Sequence, residues 1–172
     1  FGQDNIIVVD PANPAQAVRQ FSTGNGSNPQ QMAVVSPTKA YITRLERAEI
    51  LIVNPATGDS TGTVDLLSFA DGDGIPEMAP MVYNEGGMVY VGIQRLDRLN
   101  FWVPTGPGKV IVIDPSYDSV VTSYDLTIEN PVDISIMGER LFVAGGGFGN
   151  PDSVGIDTIN VSSGSVGRLV GG

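Results

Sequence analysis

Short apolar runs alternate with turn-forming clusters along the whole chain. Between residues 31 and 67 there are four such runs, each four to six residues long and rich in Val, Ile and Tyr, and Pro, Gly, Ser or charged residues separate them. Runs of this length with such boundaries predict β-strands joined by hairpins, and no stretch sustains the 3.6-residue apolar period of a helix. The four predicted strands are 32–36, 40–43, 49–54 and 63–67.

This four-strand unit repeats along the chain. The turn after its third strand has the sequence NPATG from Asn54, and similar turns contain Asp10, Asp114 and Asn160. The spacings between these four positions are 44, 60 and 46 residues, and an insertion at 94–108 accounts for the longest one. A period in the forties with four strands per repeat is typical of β-propeller blades. The sequence therefore predicts an all-β propeller of four-stranded antiparallel blades, and the alternative is a β-sandwich whose hairpins are similar by coincidence.

Strand counting predicts an incomplete ring of about three and a half blades. Residues 5–22 match only the third and fourth strands of the unit, whereas 31–68, 79–126 and 131–170 match all four, which gives fourteen strands. Closed propellers have four blades or more, and open sheet edges attract other strands. We therefore expect 1–172 to form one partial propeller domain whose open edges pair with further blades or with another chain.

Composition limits the chemistry that the chain can perform. It has 172 residues and contains no Cys and no His, which excludes thiol nucleophiles, Ser-His-Asp triads and the usual zinc sites. Nineteen acidic and nine basic residues give a formal charge of −10, which argues against nucleic acid as a partner. No apolar run reaches the length of a membrane-spanning helix. Chemistry would therefore depend on carboxylates, Tyr, Lys, Arg or a bound hard cation.

The strand order predicts that the long loops share one face. Strands of a blade alternate in direction, so the loops after the second and fourth strands lie together, opposite the short turns after the first and third. Binding sites tend to lie on long loops carried by a rigid scaffold. We therefore expect a site on this long-loop face, which comprises the loops 23–30, 44–47, 68–80, 94–108 and 145–152.

The segment 71–77, with the sequence DGDGIPE, is a candidate calcium loop. Carboxylates at alternate positions with glycines between them can surround a hard cation, and Ca²⁺ prefers such oxygen ligands. The segment resembles the Asp-rich calcium loops of thrombospondin-type repeats, but it departs from an EF-hand at Ile75 and Pro76. The predicted ligands are Asp71, Asp73 and Glu77. The alternative is a solvated turn whose Asp side chains accept hydrogen bonds from local amides.

Two similar basic segments, RLER at 44–47 and RLDR at 95–98, follow the second strands of neighbouring blades. Arg pairs bidentately with carboxylates and phosphates, so the two segments together predict a site for an anionic ligand. The alternative is that each Arg bridges to a nearby acidic residue and fixes the loops. The candidate ligand-binding residues are Arg44, Arg47, Arg95 and Arg98.

Trp102 lies in the insertion and is the single Trp of the chain. Exposed aromatic residues commonly anchor a binding partner, so Trp102 is a further candidate ligand-binding residue. The alternative is that it holds the insertion against its own blade.

The repeat also resembles a known family. A small apolar strand, a Ser-Pro turn, the YIT sequence at 41–43, a strand ending in NPATG and a final Val-rich strand resemble the YVTN-type propeller repeat over nearly the whole chain. The stretch 69–98 is similar to bacterial cell-surface or lipoprotein members, which are typically about twice this length. The resemblance implies a propeller fold and a protein exported to the cell envelope or outside the cell, with the signal sequence absent from this chain. It transfers no catalytic residues.

These observations predict an exported, non-catalytic propeller segment that presents a loop face to a protein or small ligand and that Ca²⁺ orders. One alternative is a lyase-like or lactonase-like propeller enzyme, in which a cation polarises the substrate. Such sites draw their ligands from several blades, whereas the acidic residues here group in one loop. Another alternative is a structural subunit that joins a surface assembly through its open edges.

Overall fold

The computed structural model describes residues 3–147 and 150–171, and strands account for most of them. In chain order the strands are β1 (Asn5–Asp10), β2 (Asn13–Ser22), β3 (Pro29–Ser36), β4 (Lys39–Arg44), β5 (Glu49–Val53), β6 (Ser60–Asp65), β7 (Met78–Tyr83), β8 (Val89–Ile93), β9 (Leu96–Asp97), β10 (Val103–Pro104), β11 (Pro107–Asp114), β12 (Ser119–Glu129), β13 (Pro131–Met137), β14 (Arg140–Gly145), β15 (Gly155–Asn160) and β16 (Val166–Gly171). Two short 3₁₀ helices lie at Leu67–Phe69 and Pro151–Ser153.

The strands form three antiparallel sheets of four strands each. Sheet I has the order β3-β4-β5-β6, sheet II the order β7-β8-β11-β12, and sheet III the order β13-β14-β15-β16. Two separate hairpins accompany them: the amino-terminal hairpin β1–β2 and the insertion hairpin β9–β10. The prediction of an all-β protein built from four-stranded antiparallel sheets is confirmed, and the described strands form no closed barrel.

The predicted strands of the first unit agree with β3, β4 and β5, and its last strand needs a correction. The sequence places that strand at 63–67, whereas β6 ends at Asp65 and a 3₁₀ turn follows. The backbone N–H of Leu67 donates to the carboxylate of Asp65 at 2.9 Å, and such a local bond competes with the strand ladder. The insertion, expected to be a loop, contains β9 and β10.

The period of two along each strand explains how the sheets pack. In β8, Val89 and Val91 pack with residues of sheet I, whereas Tyr90 between them packs with residues of sheet III. In β11, Ile111 faces sheet I and Val112 faces sheet III. Sheet II is therefore covered by apolar side chains on both faces, and its central strands contain continuous buried runs, VYVGI in β8 and VIVI in β11.

The amino-terminal hairpin covers the other face of sheet I. Ile6 of β1 and Phe21 of β2 pack on buried residues of β4 and β5, including Ile42 and Val53. The four units therefore follow one another in space as they do in sequence. The first strands of the three sheets are neighbours, because β7 contacts both β3 and β13.

Within residues 3–147 and 150–171, no helix has the length and apolar character needed to cross a membrane.

Candidate functional site

Four of the five predicted loops meet on one surface. The N–H of Leu45 donates to the carbonyl oxygen of Asn28 at 3.0 Å, which joins loop 44–47 to loop 23–30. Glu46 accepts a 2.6 Å hydrogen bond from Arg98, which joins loop 44–47 to the insertion. Thr105 of the insertion donates to Asp71 at 2.9 Å, which joins it to loop 68–80. These loops therefore form a continuous face.

The fifth loop, 145–152, includes two residues, 148 and 149, that lie outside the described part of the chain. Of its other residues, Gly147 donates to the hydroxyl of Ser153 at 3.0 Å. The carbonyl oxygen of Asp152 accepts a hydrogen bond from Arg168 at 3.2 Å. These contacts join the loop to sheet III.

The loop 68–80 coils around its own carboxylates. Asp71 Oδ1 accepts the N–H of Asp73 at 3.2 Å, and Asp73 Oδ1 accepts the N–H of Ile75 at 2.9 Å. These Asx turns are the local bonds expected of a solvated turn, and they also draw the acidic side chains together. One carboxylate oxygen from each of Asp71, Asp73 and Glu77 lies within 4.8 Å of the other two. We call these three residues the acidic triad.

Glu77 is the unusual member of the triad because its side chain is fully buried. Its Oε2 accepts the N–H of Leu96 at 2.9 Å, whereas its Oε1 has no hydrogen-bond partner among the described residues. Burial raises the pKa of Glu77 to about 8, and the charges of Asp73 and Asp71 add to the rise. A buried carboxylate oxygen without a partner is costly, so Oε1 marks a position that a cation would satisfy.

The backbone at Glu77 is also unfavourable for a glutamate. Its φ is 47°, in the left-handed region that Asn tolerates better than long side chains do. Asn28 precedes sheet I and Asn130 precedes sheet III at the equivalent position, with φ of 50° and 45°. The fold therefore favours Asn at this junction, and only sheet II carries a glutamate there. The sequence predicts Glu77 as a ligand from the spacing of the carboxylates in 71–77, and comparison of the repeats at this position is a second signal.

Arg98 lies against the acidic triad. Its Nε donates to Asp73 Oδ2 at 2.7 Å and is 3.6 Å from Glu77 Oε1. Its Nη1 donates to Glu46 Oε2 at 2.6 Å. Burial disfavours the charged form of Asp73, but the hydrogen bonds from Arg98 and Ile75 outweigh it and lower the pKa of that carboxyl.

The other three predicted arginines are held by oxygen atoms of the protein. Arg44 is buried and donates to the carbonyl oxygen of Thr23 at 3.0 Å and to Glu49 Oε1 at 2.6 Å. Arg47 donates to the carbonyl oxygen of Asn25, and Arg95 donates to that of Pro107 at 3.3 Å. These contacts favour the alternative interpretation, in which the arginines fix the loops.

The insertion hairpin ends in an exposed apolar tip. The side chains of Leu99 and Phe101 are 91% and 89% exposed, whereas Trp102 is partly buried. Phe101 and Trp102 both have left-handed backbones, with φ of 55° and 61°, which is strained for aromatic residues. Sequence analysis selected Trp102, but the structure places Leu99 and Phe101 further into solvent.

A cavity of about 270 Å³ opens beside the triad. Leu99 and Thr105 of the insertion line one side of it, and Asp71, Gly72 and Asp73 line the other. The acidic loop and the insertion tip therefore share one concave surface.

The sequence matches no protein-family model and no curated protein. Among solved structures, the chain is similar in fold to hydrazine synthase from Kuenenia stuttgartiensis, with a TM-score of 0.60 and 16% sequence identity. The similarity covers 83% of this chain and 35% of the hydrazine synthase chain, so this chain spans about a third of that chain's length. At this identity the likeness shows the fold alone.

Proposed function

We propose that this chain is an exported, non-catalytic segment of a YVTN-type β-propeller that binds a protein or small ligand on its long-loop face, with Ca²⁺ held by Asp71, Asp73 and Glu77. The observation that carries the proposal is the buried Oε1 of Glu77, which lies beside two further carboxylates and has no hydrogen-bond partner in the part of the chain that the structure describes. The cation orders the face because the triad loop contacts the insertion through Thr105.

The arrangement of the sheets supports the propeller assignment. Blades arranged around an axis bring their first strands together, and β7 lies between β3 and β13. The amino-terminal hairpin packs on sheet I as the outer half of a preceding blade would. The fold likeness to part of a longer chain agrees with a segment of a larger ring.

The donor set favours Ca²⁺ over other common cations. All three side chains offer oxygen, which suits hard cations, and Ca²⁺ accepts six to eight oxygen ligands in flexible geometry. Three carboxylates leave coordination positions for water, for backbone carbonyls or for a ligand in the adjacent cavity. Ionised, the triad carries three negative charges against the single positive charge of Arg98, so a divalent cation would neutralise the remainder.

Thermal unfolding with and without Ca²⁺ tests the cation site. Millimolar Ca²⁺ raises the Tm of the wild-type protein over that in chelator, because ligands that bind the native state stabilise it, and Mg²⁺ raises it less. The double substitution Asp71→Asn with Asp73→Asn removes the shift. The matched variant Glu77→Asn introduces the residue found at the equivalent positions 28 and 130. We therefore expect it to fold, and its Tm does not shift with Ca²⁺. A wild-type Tm that is independent of Ca²⁺ contradicts the site.

The proposal that the protein is exported is based on the resemblance of 69–98 to cell-surface members of the YVTN-type family. Fractionation of the native host tests it: recovery of the protein from the envelope or medium supports export, and recovery from the cytoplasm alone contradicts it.

Assembly through the open ends is a second candidate function, favoured by exposed apolar side chains at both ends of the series. Ile7 and Val18 of the amino-terminal hairpin are 57% and 64% exposed, and Val132 and Met137 of sheet III are 58% and 73% exposed. Exposed apolar side chains of this kind favour packing against strands of another chain or blade. Light scattering would show masses above one chain at rising concentration, and Val132→Lys with Met137→Lys would reduce them. A single-chain mass at every concentration contradicts this candidate.

A further inference from the structure

We propose that Arg98 is a built-in competitor for the cation: it pairs with Asp73 and Glu77 in the cation-free protein and yields both carboxylates when Ca²⁺ binds. This inference rests on the cation site proposed above and adds its regulation.

The distances make the guanidinium and the cation compete. Arg98 Nε lies 2.7 Å from Asp73 Oδ2 and 3.6 Å from Glu77 Oε1. Ca²⁺ bonds to oxygen at about 2.4 Å, so an ion on Asp73 Oδ2 would lie at most about 5 Å from Nε. Two positive centres at that separation repel in a partly buried site. Tight cation binding therefore requires Arg98 to move away.

Glu46 gives Arg98 a partner to which it can withdraw. Arg98 Nη1 donates to Glu46 Oε2 at 2.6 Å, and Glu46 belongs to loop 44–47, outside the triad. The guanidinium can therefore leave Asp73 and still keep an ion pair. This second anchor lowers the cost of the exchange, since Arg98 is never left without a counter-charge.

The exchange would be transmitted to the apolar tip of the insertion. Arg98 directly precedes Leu99, which lines the cavity beside the triad, and Phe101 follows two residues later. Movement of Arg98 toward Glu46 shifts this tip relative to loop 68–80. Cation binding would then reshape the cavity in which a ligand lies.

Titration calorimetry of Ca²⁺ into the full chain and its variants tests the competition. Arg98→Gln removes the competing charge and tightens Ca²⁺ binding by about tenfold or more, because one neighbouring positive charge is lost. Glu46→Gln removes the second anchor, holds Arg98 on the triad and weakens binding. Arg95→Gln is the matched control, since Arg95 lies on the same hairpin and donates to Pro107, and it leaves the affinity unchanged. A purely structural role would not produce opposite signs at residues 98 and 46.

The affinities of the wild type and of Arg98→Gln together distinguish failure of the competition from failure of the cation site. Unchanged or weaker binding by Arg98→Gln overturns the competition, whereas wild-type binding alone still supports the cation site. Binding by neither protein overturns both. Binding by Arg98→Gln but not by the wild type overturns the exchange and the proposed function, because Arg98 then never yields the triad to the cation. If Arg98→Gln does not fold, fluorescence of Trp102, the single Trp, is followed in the wild type: a change on Ca²⁺ addition that Glu46→Gln diminishes supports the exchange, and an unchanged signal contradicts it.

Discussion

Glu77 occupies a residue position that the fold would fill more cheaply with asparagine. Its left-handed backbone is unfavourable, and its buried Oε1 has no hydrogen-bond partner among the described residues. Asn130 at the equivalent position also has a buried oxygen, Oδ1, without such a partner, but a neutral amide costs less to bury than a carboxylate. Costly local arrangements tend to persist at functional sites. At the residue scale, this mismatch is the observation that most supports the cation site proposed at Glu77.

Gly92 shows how closely the sheets approach one another. A Cβ built at Gly92 of β8 would lie 2.6 Å from the ring Cγ of Pro80 and 3.4 Å from Cβ of Pro131. These rings are rigid, so an added methyl cannot be accommodated without movement of β7 or β13.

We therefore expect Gly92→Ala to lower the free energy of unfolding by about 1–3 kcal/mol, the usual cost of overpacking. Gly167→Ala is the control, because a Cβ there meets nothing within 4 Å. Urea unfolding of both variants measures the effect. Equal stability of the two variants would contradict the close packing.

At the element scale, Asp4 ties the amino-terminal hairpin to loop 23–30. Its carboxylate accepts three backbone N–H groups, from Gly26 at 2.6 Å and from Ser27 and Asn28 at 2.9 Å. These hydrogen bonds, led by the one from Asn28, lower the pKa of Asp4. The loop is therefore fixed by an ionised carboxylate outside the sheets.

The depressed pKa makes this junction sensitive to acid. Above the ordinary Asp value of 3.8, Asp4 is ionised and its contribution to stability is complete. As the pH falls below that value, the unfolded chain takes up the proton first, so stability is lost through the folded-state pKa.

Asp4→Asn should therefore be less stable than the wild type at neutral pH, with the difference shrinking as the pH falls below 3.8. Asp59→Asn is the control, since Asp59 is exposed and no hydrogen bond to its carboxylate is found within the described residues. Unfolding curves at several pH values measure the difference. A gap that does not depend on pH would show that Asp4 does not act as an ionised acceptor.

The sequence predicts strands correctly where the run of buried residues is long, and it misses strands where that run is short. β4, β5 and β8 carry runs of five or six residues that are almost wholly buried, so their signal is strong. β9 and β10 have two residues each, Leu96–Asp97 and Val103–Pro104, too few to form a period. Tertiary contacts across the insertion, such as Thr105 with Asp71, hold them instead.

For the candidate site, groups that lie close together along the chain were predictable, and contacts between distant residues were harder to predict. The acidic triad was predictable because its three carboxylates lie within seven residues. Which acidic residues pair with which arginine was harder to predict, because Asp73 and Glu46 are 25 and 52 residues from Arg98 along the chain. The sequence offered Arg98 either as a ligand for an anion or as a bridge to acidic residues of the loops, and its ion pairs with Glu46 and Asp73 agree with the bridge.

At the scale of the whole molecule, three four-stranded sheets and a leading hairpin follow one another and place four of the five long loops on one surface. The formal charge of −10 favours a cation on that surface over an anion. The proposed function therefore depends on one bound Ca²⁺ more than on any other feature.

Measurement of Ca²⁺ stoichiometry by equilibrium dialysis, on the wild type and on Glu77→Asn, tests this most directly. We expect one tightly held Ca²⁺ per wild-type chain and no tightly held Ca²⁺ in a folded Glu77→Asn variant. No bound Ca²⁺ in the wild type, or equal binding by the two proteins, would contradict it.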